Sequence, residues 1–410
     1  MEMKKYKLGE IANFVEERIS SEDISLDEYV TTDSLLQNKK GRVMAQNLPP
    51  KKCSLTYYKK GDVLIGNIRP YLKKIWLADT SGGCSQDVLV LRSKKDSDSE
   101  FLYATLMQDD FFDYVMKATK GSKMPRGDKN HIMHFICFDV KNKNKIGELF
   151  SSLDKKIALN CRINAYLEQM AKWLYEHYFV QFDFPTEDGK PYKTSGGKMV
   201  YSSELKREIP EGWEVKRLGE CLKHINTGLN PRDNFKLGNG NIKYITVKNL
   251  TVNGIIDFSG CDLIDENARL IVHERSQITK GNILFASISP LGRCYIIQEE
   301  PKDWDINESV FAISPNQEIL SSEYLYCYLT SQWFMKKAEK EATGSIFAGI
   351  RMAALNAMPV IVPDKDTLQL FTNYSKSIFQ QKDKLFKENE YLTSLRDRLL
   401  PLLMNGQVSV

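Results

Sequence analysis

Apolar residues recur at every seventh position along two long stretches of the chain. Ile146, Leu153, Leu167 and Leu174 mark the first; Phe371, Ile378, Leu385, Leu392 and Leu399 mark the second. Adding 225 carries each member of the first set onto a member of the second. A repeat of seven keeps one apolar line on one helix face, and that line must be buried. The pattern predicts two long helices packed on each other. Asn160 stands in the line where the other copy has Leu385. A polar seam residue fixes register at some cost in stability; a face turned locally to solvent, or a contact with another chain, would also accommodate it. About 30 residues at ~1.5 Å each make a rod of roughly 45 Å.

The stretches before the two helices repeat as well. Leu8-Gly9-Glu10 returns as Leu218-Gly219-Glu220, and Gly61, Leu64 and Pro70 return as Gly281, Leu284 and Pro290. Gly121-Ser122 returns as Gly344-Ser345. The offset only grows along the chain, from 210 to 225, so the second copy carries about fifteen more residues in its loops. Such ordered self-similarity marks an internal tandem repeat. It divides the chain into a globular half at 1–143, a helix at 144–180, a polar linker at 181–212, a second globular half at 213–364 and a second helix at 365–410. The linker reading rests on its Gly, Pro, Lys and Ser. An antiparallel helix pair would place the globular halves at opposite ends of a rod, and a parallel pair at one end. The pattern leaves the direction open.

Strands and short helices alternate in each half, which makes the fold class mixed α/β. Asp62-Val63-Leu64-Ile65 and Asn282-Ile283-Leu284-Phe285 read as buried strands. Each runs into a loop with proline and cations, holding Arg69, Tyr71, Lys73 and Lys74 in one half and Ser289 and Arg293 in the other. A second pair of loops carries Lys120, Gly121, Ser122, Lys123 and Arg126, matched by Thr343, Gly344 and Ser345, with Arg351 at offset 225 from Arg126. Glycine lets backbone N–H groups approach a phosphate, serine adds a donor, and arginine reaches a phosphate or a guanine edge. A helix C-cap at the glycine is the alternative; recurrence in both halves favours ligand contact. Thr31 and Thr32, with Thr246, Lys248 and Asn249, form a third and weaker pair.

Composition narrows the function less. A net charge of +4 and 27% charged residues neither demand nor exclude a nucleic-acid partner. The eight cysteines include no C-x-x-C pair, which argues against zinc or a disulfide framework and for a reducing cytoplasm. No apolar run reaches the roughly 18 residues of a membrane span. Walker A, G-x-S-x-G and H-E-x-x-H motifs are absent. His131 and His134 flank an apolar strand, so packing explains them better than a metal. The chain reads as a binding protein without catalytic machinery.

Two further stretches carry a family resemblance. One is Phe182-Asp183-Phe184-Pro185 followed by Gly189-Lys190-Pro191-Tyr192-Lys193, Gly196-Gly197-Lys198-Met199 and Glu208-Ile209-Pro210-Glu211-Gly212-Trp213. The other is the ending Leu395-Arg396-Asp397-Arg398-Leu399-Leu400-Pro401-Leu402-Leu403-Met404-Asn405-Gly406. With these the chain resembles, over essentially its whole length, the DNA-specificity subunit of type I restriction–modification systems. The resemblance implies two similar α/β target-recognition domains separated by an antiparallel pair of long coiled-coil helices. Each domain would read one half of a bipartite sequence in double-stranded DNA, with the helices as the ruler. It also implies two methyltransferase subunits, which hold S-adenosylmethionine and modify adenine N6, and two translocase–nuclease subunits. This chain would bind no cofactor itself. A two-headed scaffold that bridges proteins or DNA outside restriction–modification is the alternative.

Overall fold

The computed structural model describes residues 4–121, 123–342 and 349–409. It divides into two units: unit 1 comprises Met1–Asn160 with Glu388–Val410, and unit 2 comprises Cys161–Lys387. Each unit therefore holds one globular half and a length of both long helices.

In unit 1 the strand Val63–Gly66 is apolar and buried throughout, as a strand covered on both faces must be. It lies in a four-stranded antiparallel sheet in the order Ala12–Phe14, Val88–Ser93, Val63–Gly66, Ile75–Leu77. A second sheet orders Arg18–Ser20, Ser54–Tyr58, Gly82–Cys84 and Tyr29–Val30, the last two parallel. Lys5–Lys7 pairs separately with Ile136–Phe138. Helices Ser99–Leu106 and Asp109–Met116 cover the first sheet, and their core takes in Ile146, Phe150, Leu400, Leu403 and Met404 from the long helices. Gly147 is required here: a Cβ would come within 2.5 Å of the Phe101 backbone nitrogen.

Unit 2 repeats this frame. Its main sheet runs Leu222–Thr227, Val310–Pro315, Ile283–Ala286, Cys294–Ile296. Glu214–Arg217 pairs with Pro359–Val362. Helices Ser322–Thr330 and Gln332–Glu341 share a core with Ala171, Tyr175, Tyr178, Phe179, Leu368, Phe371 and Phe379.

Residues 181–212 form no loose tether. Phe182, Phe184 and Ile209 are buried in the unit 2 core, and Met199–Ser202 pairs with Arg207–Pro210. Phe184 stacks between Tyr192 and Trp213, with centroids at 4.7 and 5.0 Å. The Arg207 guanidinium covers Phe182 at 4.7 Å. Polar composition hid three aromatic anchors, Phe182, Phe184 and Tyr192.

The central helix, Lys143–Tyr175, and the C-terminal helix, Lys365–Met404, run antiparallel within each unit. In unit 1 Asp154 meets Arg396 and Asn160 meets Asn389. In unit 2 Glu168 meets Lys382 and Tyr175 meets Phe371. The apolar line lies only partly inside. Ile146, Leu167 and Phe371 are buried, whereas Leu153, Leu174, Ile378, Leu385, Leu392 and Leu399 are half-buried. The deepest line lies four residues further on: Ser375, Lys382, Asn389, Arg396 and Leu403. It is mostly polar.

Candidate nucleic-acid interface

In unit 1 the edge of the main sheet draws two candidate loops together. Ile68 forms a β-bridge with Arg126, and the Arg69 N–H donates to the Pro125 carbonyl at 2.8 Å. Lys120 and Arg126 exchange both backbone hydrogen bonds at 3.0 Å, closing the second loop into a small hairpin. The first loop continues as one turn of 3-10 helix, Pro70–Leu72, with Arg69 and Lys73 on either side of it in left-handed backbone. Lys39 and Asn38 then bond to the carbonyls of Lys73 and Leu72. Arg69, Tyr71, Lys120, Gly121, Lys123 and Arg126 are exposed on this surface.

These cations are not equivalent. Lys73 lies 2.9 Å from Asp109, which also meets Lys39; burial alone would raise the Asp109 carboxyl, but the two ammonium groups hold it below its ordinary value. Lys120 pairs with Asp128 at 3.0 Å and Arg126 with Asp87 at 3.0 Å. Lys74 turns inward to the Thr32 carbonyl, and burial lowers its pKa. Thr31 and Thr32 are half-buried; Thr31 and Ser34 cap each other in a turn.

Unit 2 carries the same frame with other side chains. Ile288 bridges Gly349, and the Ile350 N–H donates to Ser287, as the Gly127 N–H donates to Asn67. The counterpart of Arg126 is therefore Gly349, and Arg351 matches Asp128. Offset 225 holds only in the helices; in this loop it is 223, and Arg351 stands exposed at the start of helix Met352–Asn356. Arg293 corresponds to Lys74: each accepts pairing across the strand end, and each points inward, Arg293 to the Leu250 carbonyl at 2.9 Å. Asn249 is likewise spent inside the fold, accepting from the Thr246 N–H and donating to the Asp257 carbonyl. Thr246 is half-buried, while Lys248 and Ser289 are exposed. Ser122, Thr343, Gly344 and Ser345 lie outside the described residues. His131 stacks on Tyr114 at 4.0 Å, while His134 is exposed and bonds to the Asn130 carbonyl.

Sequence reasoning missed a pair of buried charge clusters where each unit grips the helices. In unit 1 the Tyr103 hydroxyl donates to Asp154 at 2.6 Å, Arg396 lies 2.8 Å from the same carboxylate, and Arg396 also donates to the Lys39 carbonyl at 3.1 Å. In unit 2 Tyr326 donates to Glu168 at 2.9 Å, Lys382 pairs with Glu168, and Lys382 donates to the Asn253 carbonyl at 3.1 Å. Burial raises both phenols far above their ordinary value, and the adjacent carboxylates add to it. Each cation thus fastens the C-terminal helix to the loop that follows the Thr31 or Thr246 turn. Asn160 belongs to this polar line: its amide donates to Glu388 and Asn389, both at 2.9 Å. The signal was in the sequence, as a second line of sevens through Lys382, Asn389 and Arg396.

The helices also carry exposed apolar residues. In unit 2 Tyr166, Met170 and Trp173 fall on one face of the central helix, Tyr166 at 64% and Trp173 at 61% exposure. In unit 1 Tyr391, the repeat of Tyr166 at offset 225, is 66% exposed.

The type I restriction modification DNA specificity domain matches residues 210–385. The MjaIX specificity subunit of Methanocaldococcus jannaschii is 25% identical over 370 residues, which cover 88% of this chain and 80% of that one. The HindI specificity subunit of Haemophilus influenzae is 23% identical over 465 residues, 99% of each chain. The chain thus carries a type I restriction modification DNA specificity domain and is similar, over nearly its whole length, to specificity subunits of type I restriction enzymes. A crystal structure of the S subunit from M. genitalium shares the fold, with a TM-score of 0.59 at 16% identity over 98% of this chain and 96% of that one. Specificity subunits of this kind have two domains and a long helix pair, as found here. The matched domain falls within unit 2 and its borders; unit 1 joins it through the repeated main sheet and edge ladder.

Proposed function

We propose that each unit reads one half of a split target in double-stranded DNA, while the helix pair fixes the gap and docks the catalytic subunits. The observation that carries this reading is the duplicated strand-end frame, Ile68 on Arg126 and Ile288 on Gly349, bearing unlike side chains in the two units. One frame with two sets of exposed side chains suits two different half-sites.

Catalysis then belongs to the partners. Two methyltransferase subunits would supply S-adenosylmethionine and modify adenine N6, and two translocase–nuclease subunits would complete the restriction complex. The exposed Tyr166, Met170 and Trp173 face is the surface we assign to methyltransferase docking, since aromatic residues dominate binding energy at such contacts.

The test uses purified chain with labelled S-adenosylmethionine and duplex DNA, with and without the partner methyltransferase. Methylation should appear only with the partner, and the complex should lose DNA affinity steeply with salt, because phosphate contacts release counterions. Methylation by the chain alone, or salt-independent binding, would overturn the reading.

A further inference from the structure

We propose that Arg69 reads a guanine through its major-groove edge in the half-site of unit 1, and that Ser289 occupies the corresponding reading position in unit 2. The inference rests on the DNA-reading function proposed above.

The position is defined by the frame. Arg69 follows Ile68, which is bridged to Arg126, and precedes Pro70; Ser289 follows Ile288, which is bridged to Gly349, and precedes Pro290. Both are exposed. On either side the backbone is held, in unit 1 by the Arg69 N–H on Pro125 and the Leu72 N–H on the Arg69 carbonyl at 2.9 Å. Arg69 has φ +53°, a left-handed conformation that non-glycine residues adopt only under constraint from their surroundings, and that collects at functional positions. A held backbone presents the side chain in a defined direction, which base reading requires and phosphate contact does not.

Charge accounting singles out the same residue. Lys73, Lys120 and Arg126 each face a carboxylate, and Lys74 is turned inward. Among the described cations of the two loops, Arg69 and Lys123 have no acidic partner. Lys123 is a point charge at a hairpin tip and suits a phosphate. Arg69 has the planar fork that pairs with guanine O6 and N7. Serine at 289 bonds to several bases, so the second half-site should be read less strictly at that place.

The experiment uses the full chain in complex with its methyltransferase. Methylation rates are measured on duplexes carrying every single-base change in each half of the target, for the native chain and for Arg69→Ala, Arg69→Gln and Lys123→Ala. For Arg69→Ala we expect a loss of about 5- to 150-fold on the native target, with discrimination erased at one G·C pair of one half and kept elsewhere. Arg69→Gln should move the preference at that pair toward adenine, the base glutamine matches. Lys123→Ala should weaken all duplexes alike and lower the salt slope by about one. A uniform loss for both Arg69 variants, or an unchanged base profile, overturns the assignment. If the native complex has no split target, the underlying function fails instead, so the two failures are told apart.

Discussion

In unit 1 the strand Gly82–Cys84 lies parallel to Tyr29–Val30; in unit 2 Trp304–Ile306 lies parallel to Ile242–Ile245. Beyond this shared pair the units part. In unit 1 two further strands, Ser54–Tyr58 and Arg18–Ser20, extend the sheet from Gly82–Cys84. Close approach is permitted by glycine, since a Cβ on Gly82 would meet the Glu28 carbonyl at 2.2 Å. In unit 2 the third strand, Asp262–Ile264, joins the opposite edge, on Ile242–Ile245. Trp304–Ile306 is met by helix Glu266–Ser276: Asp305, buried, accepts from Ser276 at 2.6 Å and lies 3.0 Å from His273. The main sheet, the edge ladder and the strand-end frame recur in both units, while the outer sheets differ in strand number and order.

The largest effect that tests this comparison lies in the buried charge clusters. Lys382→Met leaves the buried Glu168 with only the Tyr326 hydroxyl and the half-exposed Lys172, at 3.4 Å, to meet its charge, which should cost unit 2 up to about 3 kcal/mol in denaturant unfolding. Glu168→Leu combined with Lys382→Met should recover most of it, because apolar replacement of a buried pair is often neutral. Arg396→Met in unit 1 should cost less, since Asp154 keeps 19% of its side chain in solvent against 8% for Glu168. Equal losses would mean the two clusters do not differ as their burial implies.

The helix face comes next. Trp173→Ala should leave unfolding within about 0.5 kcal/mol of the native chain, as for an exposed residue. It should weaken assembly with the methyltransferase by about tenfold or more. Tyr391→Ala asks the same of unit 1, and size-exclusion or calorimetric titration reads both. Unchanged assembly in both variants would remove the docking face.

The smallest effect distinguishes the units by pH. Burial raises the Asp305 carboxyl above its ordinary value, with the bonds from Ser276 and Ile306 opposing. A raised folded pKa gives stability that is complete below the ordinary value near 3.9 and lost as pH rises through the folded value. Asp305→Asn should lack that fall, so unfolding curves of native and variant chains should diverge from about pH 4 upward and then run parallel. Gly83 holds the matching place in unit 1, so no counterpart exists there. Parallel curves across the whole range would contradict this.

Much of this was legible from residue types alone. Seven-residue spacing located both helices, and ordered self-similarity revealed the repeat, because helix burial and duplication both write periodic signals. The helix core was legible only in part: the apolar line drew attention from the deeper polar one, where Lys382 and Arg396 are neutralised by carboxylates distant in sequence. Tertiary pairing of that kind leaves no local mark. Residues 181–212 were misread for a related reason, since three aromatic anchors among Gly, Pro and Lys suffice to bury a segment against Trp213. The family stretch there has a folding role, as does the ending, whose Leu400, Leu403 and Met404 fill the unit 1 core. In the loops, Arg69 and Ser289 stand exposed, but Lys74, Arg293 and Asn249 turn inward to backbone partners that only folding brings near.

The most direct test is to map methylated adenines across a genome that carries this chain with its methyltransferase, then repeat the map with unit 1 residues exchanged for those of another specificity subunit. Two short motifs at a constant separation, with the exchange altering one motif and leaving the other and the separation intact, is the result expected. A single unbroken motif, or an exchange that alters both halves together, would contradict it.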